Sequence, residues 1–194
     1  MAFACRVRAA CPLRWLGFIC LWLLAAAALA QPGRIESQVK AAYLYKFAGF
    51  VDWPPGAFAR PDSPLLIGVA GDDAFAGQVE QLVDGRRAGG HPLHVRRLRR
   101  SDSPAGLHIL FVAGPGDAAG AGLLDAARGL PLLTVSDAAG AADASADPIP
   151  AGMIRFRIVD ARLRFEVALR DVAPSGLKIS ARLLAAAWRV TGAS

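Results

Sequence analysis

Beyond residue 30 the chain has no cysteine: Cys5, Cys11 and Cys20 all fall in the first thirty residues. Disulfides and thiolate chemistry are thereby excluded downstream, and packing alone must hold that part together. Histidine is scarce as well, with only His91, His94 and His108. No cysteine or carboxylate is spaced to complete a metal site with them, and His91 and His94 would point to opposite faces of a strand. All three are therefore expected at the surface or at strand ends. No serine occupies a G-x-S-x-G elbow, so Ser175 reads as a turn residue. Gly68 and Gly71 lack the third glycine and the lysine of a phosphate loop, and Asp72 and Asp73 would repel a phosphate. A strand-to-helix turn is expected there instead.

The first thirty residues also lack any acidic residue. Arg6, Arg8 and Arg14 precede the apolar run Trp15–Ala27, and Ala28-Leu29-Ala30 presents small residues before the helix-breaking Gln31-Pro32-Gly33. This is the pattern of a secretory signal, so residues 1–30 are expected to be cleaved and residues 31–194 to form one exported domain. The small-residue exit argues against a retained anchor, and no cysteine has the flanks of a lipoprotein site. No second long apolar run follows, so no stable membrane insertion is expected after cleavage. Three of the 22 basic residues leave with the signal, which sets 19 against 16 acidic residues, a balance of only +3. That balance does not call for nucleic acid. The basic cluster Arg86-Arg87 with Arg96–Arg100 lacks interleaved aromatics and reads as a solvated strand end, with an acidic partner surface or the inner leaflet of an outer membrane as the alternative.

Along the remaining 164 residues the periodicity predicts a helix over Glu36–Trp53, stopped by Pro54-Pro55. The apolar runs 65–69, 107–112 and 130–135 are predicted as the buried parallel centre of a sheet. Helices are expected at 74–83 and 118–127, an alternating strand at 91–98 and a loop at 136–150. Met153–Val159 and Leu163–Leu169 alternate and are joined through Asp160-Ala161, which predicts an antiparallel hairpin. A closing helix is expected over Ser180–Val190, with Leu183, Leu184 and Trp188 inward. The fold class is α/β: one layered domain, a mixed sheet with a parallel centre and a C-terminal hairpin, and helices on both faces.

Two sets of residues stand out. Tyr43, Tyr45, Phe47, Phe50 and Trp53 cover more than one face of the first helix. Either a partner or a dimer mate covers the excess, or the helix is deeply buried. Arg155 and Arg157 share one face of the hairpin, and Lys178 and Arg182 flank the helix cap Ser180. Together these five offer a possible site for an anion or metabolite, against a solvated face and a bare cap.

Val39-Lys40-Ala41-Ala42-Tyr43-Leu44-Tyr45-Lys46-Phe47-Ala48, then Phe50-Val51-Asp52-Trp53-Pro54, open an ordered set of motifs. Ile67–Asp73, His108–Val112, Leu133–Asp137, Gly152-Met153-Ile154 with Phe156, Arg164–Val167 and Gly176–Ser180 with Leu183-Leu184 continue it. In this order they resemble the YfiR-like family of periplasmic proteins over nearly all of the chain past the signal. The resemblance implies a non-catalytic regulator in the periplasm, needing no cofactor. Its implied partner is the periplasmic sensor region of an inner-membrane diguanylate cyclase, with release by an outer-membrane lipoprotein. Lower cyclic di-GMP and less biofilm would follow. The alternative is a periplasmic small-molecule receptor using the anion site above; a hydrolase is a remote third. Two departures stand out. Some members carry disulfides where this chain has no cysteine, so redox control is not expected. Ala168 stands where the family often has asparagine, so any polar contact made there is missing.

Overall fold

The computed structural model describes residues 31–114, 118–137 and 152–192. The expected signal, and the expected loop from residue 138 onward, lie outside the described residues. The chain divides after Glu36, and the contacts described below belong to the unit Ser37–Ser194.

In chain order the elements are α1 (Gln31–Ala48), β1 (Val51–Asp52), β2 (Leu65–Ala70), α2 (Asp73–Val83), β3 (Arg87–Ala88), β4 (His91–Leu98), β5 (Ile109–Ala113) and α3 (Ala118–Ala126). They continue with β6 (Leu133–Asp137), β7 (Ile154–Val159), β8 (Arg162–Ala168), α4 (Leu169–Val172), a 3-10 turn (Ala173–Ser175), β9 (Lys178–Ile179), α5 (Ala181–Ala186) and β10 (Arg189–Thr191). Eight strands form one mixed sheet in the order β10-β8-β7-β6-β5-β2-β4-β3. The apolar runs of β2, β5 and β6 are its parallel centre, joined in parallel by β4 on one side and β7 on the other. β7 and β8 form the antiparallel hairpin, turning through Asp160 and Ala161 at φ 50° and 57°. Positive φ at both central residues marks the type I′ form of the two-residue hairpin turn.

Alternation along the parallel strands divides the core in two. Leu65, Ile67, Val69, Ile109, Phe111, Leu133 and Val135 face α1 and α2, whose Leu44, Phe47, Phe75, Val79 and Val83 complete the larger cluster. Ala70, Leu110 and Val112 face the other way and pack against Leu123 and Leu124 of α3. Helices thus lie on both faces, as alternation on a parallel sheet requires. The carboxylate of Asp72 caps α2 by accepting from Phe75 N at 2.8 Å.

Two expected helices are shorter than their patterns. α1 ends at Ala48, not at Pro54-Pro55, because Gly49 N and Phe50 N close back on Lys46 O and Phe47 O. The chain then pairs Val51 and Asp52 with Ile179 and Lys178 in a small antiparallel sheet. The closing helix stops at Ala186, and Trp188 N instead donates to Phe165 O at 2.9 Å. Arg189–Thr191 then adds to β8 as a parallel edge strand, so Trp188 is 42% exposed rather than inward. In both places backbone pairing with a distant strand outweighs helical periodicity.

Candidate contact site

The aromatic residues of α1 are mostly structural. Phe47 is fully buried, stacked on Phe156 and set edge-on to Phe165 at 5.3 Å. It belongs to the core rather than to a contact surface. Tyr43 packs on Phe47, Phe156 and Phe165 with its ring part-exposed. Tyr45 lies on another side of the helix, where the Arg86 guanidinium sits 5.1 Å from its ring centre. Phe50 and Trp53 are half-buried against the larger cluster. One turn before Tyr43, the buried Lys40 ammonium reaches Asp137 at 2.7 Å, tying α1 to the carboxyl end of β6.

At the opposite, amino end of the parallel strands, Phe58 is sandwiched between the rings of His91 and His108, at 3.7 and 4.2 Å. His108 stands at the strand end, immediately before β5, one of the two expected positions, and is only 6% exposed there. Its Nδ1 accepts from Leu66 N at 3.1 Å, and its Nε2 lies 3.1 Å from Ala57 O. That pair of partners requires the neutral ring with its proton on Nε2. Burial pushes the His108 pKa below the ordinary histidine value; the Ala57 carbonyl opposes this, and a charge on His91 adds to it. Trp53 Nε1 donates to His108 O, so the segment after α1 is pinned to this ring and its backbone. Ser175 likewise has a structural use, donating to Val172 O at 2.6 Å inside the turn.

The five residues of the expected anion site lie on three different elements: β7 of the main sheet, β9 of the small sheet and α5. Lys178 is exposed on β9 of the small sheet, and Ser180 caps α5 by accepting from Leu183 N. Arg182 is exposed on α5. Gly176, at φ 71°, makes the left-handed turn that leads into this segment. Arg155 and Arg157 lie on the main sheet, facing away from α1. There the pairings place Ser136, Arg155, Glu166 and Arg189 side by side across four strands, with Arg157 opposite Arg164 in the next row. Among the described residues of these rows Glu166 is the single carboxylate. Its oxygens lie 3.8 Å from Arg157 Nη1 and 4.0 Å from Arg189 Nη1, and Oε1 is buried without a hydrogen bond.

The start of β7 is held closely against β6. Met153 N donates to Thr134 Oγ1, and a Cβ on Gly152 would come within 2.8 Å of Thr134 O. The Gly152-Met153 motif therefore fixes where the hairpin joins the parallel sheet. Sequence reasoning missed the His108 anchor and the Lys40–Asp137 pair. It also missed the isolation of Glu166 among arginines, which becomes visible once strand register is known.

Among the described residues no group of three or more histidine, cysteine or acidic side chains could hold a metal ion, and no helix is long and apolar enough to cross a membrane. No curated protein gives a significant match to the chain. The YfiR/HmsC-like family matches residues 37–187, almost the whole of the unit just described, and the chain belongs to that family.

Proposed function

We propose that this protein is an exported, non-catalytic repressor. It binds the periplasmic sensor region of an inner-membrane diguanylate cyclase and lowers cyclic di-GMP. The observation that carries the reading is the family match over 37–187, which spans the sheet except its edge strand β10, the hairpin and the α1 aromatics. The leader-like first thirty residues support export. The buried polar side chains that could serve catalysis have structural uses. His108 and Ser175 hold backbone groups, as do Thr134 and Ser136, which accept from Met153 N and Gly152 N.

Contact with the cyclase uses what the fold leaves accessible: the part-exposed rims of Tyr43, Tyr45, Phe50 and Trp53, and the hairpin. Release by an outer-membrane lipoprotein and self-association into a dimer belong to the same scheme. The small-molecule alternative is the weaker reading, because its expected ligands divide among β7, β9 and α5 and Ser180 already serves as a cap.

The test is cellular cyclic di-GMP in a strain lacking the gene, complemented by the full chain or by Tyr45→Glu. The full chain is expected to lower the nucleotide, and Tyr45→Glu to lower it less while melting at an unchanged temperature. Unaltered cyclic di-GMP on loss and restoration of the full chain would overturn the reading.

A further inference from the structure

The arginine-bearing face of the hairpin is an unusual arrangement for a sheet. β7 and β8 present Arg155, Arg157, Arg162 and Arg164 on one face, and β10 adds Arg189 beside them. Like charges directly opposite each other, as in Arg157 and Arg164, destabilise a strand pair. The Arg157 side chain is 18% exposed, so water screens its charge less than it would at an open rim. Among the described residues Arg155, Arg162 and Arg164 have no hydrogen bond or ion pair, although Arg155 is half-buried in the middle of the row. Among the described residues of these paired strands the one carboxylate on this face is Glu166, which contacts two arginines at ion-pair distance and makes no hydrogen bond to either through its buried Oε1. Among the described residues the face therefore carries more guanidinium groups than carboxylates, five arginines beside one glutamate.

We infer that this face docks an acidic segment of the partner protein, with two or more carboxylates of an extended chain laid across Arg155, Arg157, Arg164 and Arg189. The inference rests on the reading of the protein as a repressor that works by contact. Guanidinium groups present planar forks that match carboxylates in pairs, which suits an acidic peptide. The cluster is wider than a single small anion, although one carboxylate, that of Glu166, already lies between Arg157 and Arg189. Arg155 and Arg157 are roughly 7 Å apart along the strand, and Arg155 and Arg189 are roughly 10 Å apart across two strand spacings. One phosphate reaches only a part of that surface, and Glu166 at its centre repels a multiply charged group. Carboxylates spaced along a chain can sit on either side of Glu166 and contact the arginines separately.

The probe is a fluorescently labelled acidic peptide of alternating glutamate and threonine, titrated with the purified protein and read by anisotropy. Wild type is expected to bind it, with affinity falling as salt rises from about 0.05 to 0.5 M. Arg155→Glu and the exposed Arg164→Glu should each weaken binding roughly tenfold or more. Arg182→Glu, the same charge change on α5, should alter it less than about twofold. Thermal melts establish that each variant is folded. Arg155→Lys should recover part of the affinity, because it keeps the charge and loses the fork.

Failure of wild type to bind the peptide, or an equal loss in Arg182→Glu, would overturn the assignment. So would displacement of the peptide by inorganic phosphate at matched charge, which would make the face a general anion site. The same variants in the cyclic di-GMP assay separate the two readings. If wild type does not lower the nucleotide while peptide binding follows the arginines, the repressor reading falls and the acidic-ligand surface stands. If wild type and Arg155→Glu repress equally, the docking assignment falls and the repressor reading stands.

Discussion

The two faces of the main sheet are built from different materials. On one, α1 and α2 press Phe47 and Phe75 against Phe111, Phe156 and Phe165, and the cluster extends from β4 to β8. On the other, the small-residue helix α3 packs, among the described residues, in a smaller cluster with β2, β4 and β5, and the antiparallel end carries arginines. A parallel strand must be covered on both sides, whereas an antiparallel hairpin needs only one. The fold uses that freedom at β7 and β8: their apolar side enters the core, and their polar side carries the arginines. Substitutions on the two sides should therefore separate folding from contact.

The largest expected effect is on the aromatic face. Phe47→Ala removes a fully buried ring that touches three other aromatic rings, and should cost about 3–5 kcal/mol in a denaturant melt. Arg155→Ala, on the opposite face of the same sheet, should change stability by less than about 0.5 kcal/mol. Comparable losses in the two variants would break the division between the faces.

The next effect tests the rim joining the faces at the amino end of the strands. His108→Ala leaves Leu66 N and Ala57 O without their side-chain partner and opens space beside Phe58, at a cost of about 2–3 kcal/mol. The wild-type protein should also lose stability as the solution is acidified. The folded-state pKa of His108 lies below its unfolded value, so the unfolded chain takes up a proton first. The contribution is complete above pH about 6.5 and is lost as pH falls from there through the folded pKa. Melts of wild type and His108→Gln between about pH 7 and 5 should show the slope reduced in the variant. Parallel profiles would mean that the ring is not held neutral.

How much of this could be read beforehand follows the length of each signal. The runs 65–69, 107–112 and 130–135 are long and apolar enough to mark the parallel centre, and the alternation on either side of Asp160-Ala161 marks the hairpin. β1, β9 and β10 are two or three residues long, too short to show a period, and two of them took residues expected in helices. Trp188 was therefore expected inward and is exposed. Lys40 and Asp137 are 97 residues apart, and no local pattern connects them. His108 looked like any strand-end histidine because its partners, Leu66 and Ala57, come from other segments. The α1 aromatics were read as an excess on one helix. Phe156 and Phe165, which absorb Tyr43 and Phe47, lie more than a hundred residues downstream.

A smaller effect sits at the hairpin turn. Ala161 holds φ 57°, a left-handed conformation that is unfavourable for a residue with a Cβ. Ala161→Gly relieves that strain and should stabilise the domain by about 0.5–1 kcal/mol, net of glycine's greater freedom when unfolded. The gain should appear in the melting temperature without changing what the arginine face binds. A destabilised variant would mean that the turn is supported by contacts of the Ala161 methyl.

The smallest effect discriminates most finely between stability and contact. Arg164 stands directly opposite Arg157 and is exposed, so it contributes repulsion across the strand pair and no ion pair among the described residues. Arg164→Thr removes the repulsion and places a residue with good strand propensity at the site, for a gain of about 0.2–1 kcal/mol. Because the repulsion is between charges, the gain should shrink as salt rises toward about 1 M, where screening acts over about 3 Å. The same substitution should weaken binding of an acidic partner. A variant that is more stable and binds less tightly would show that Arg164 is retained for contact against its own folding interest. A variant that is less stable and binds equally well would return the residue to an ordinary solvated strand face.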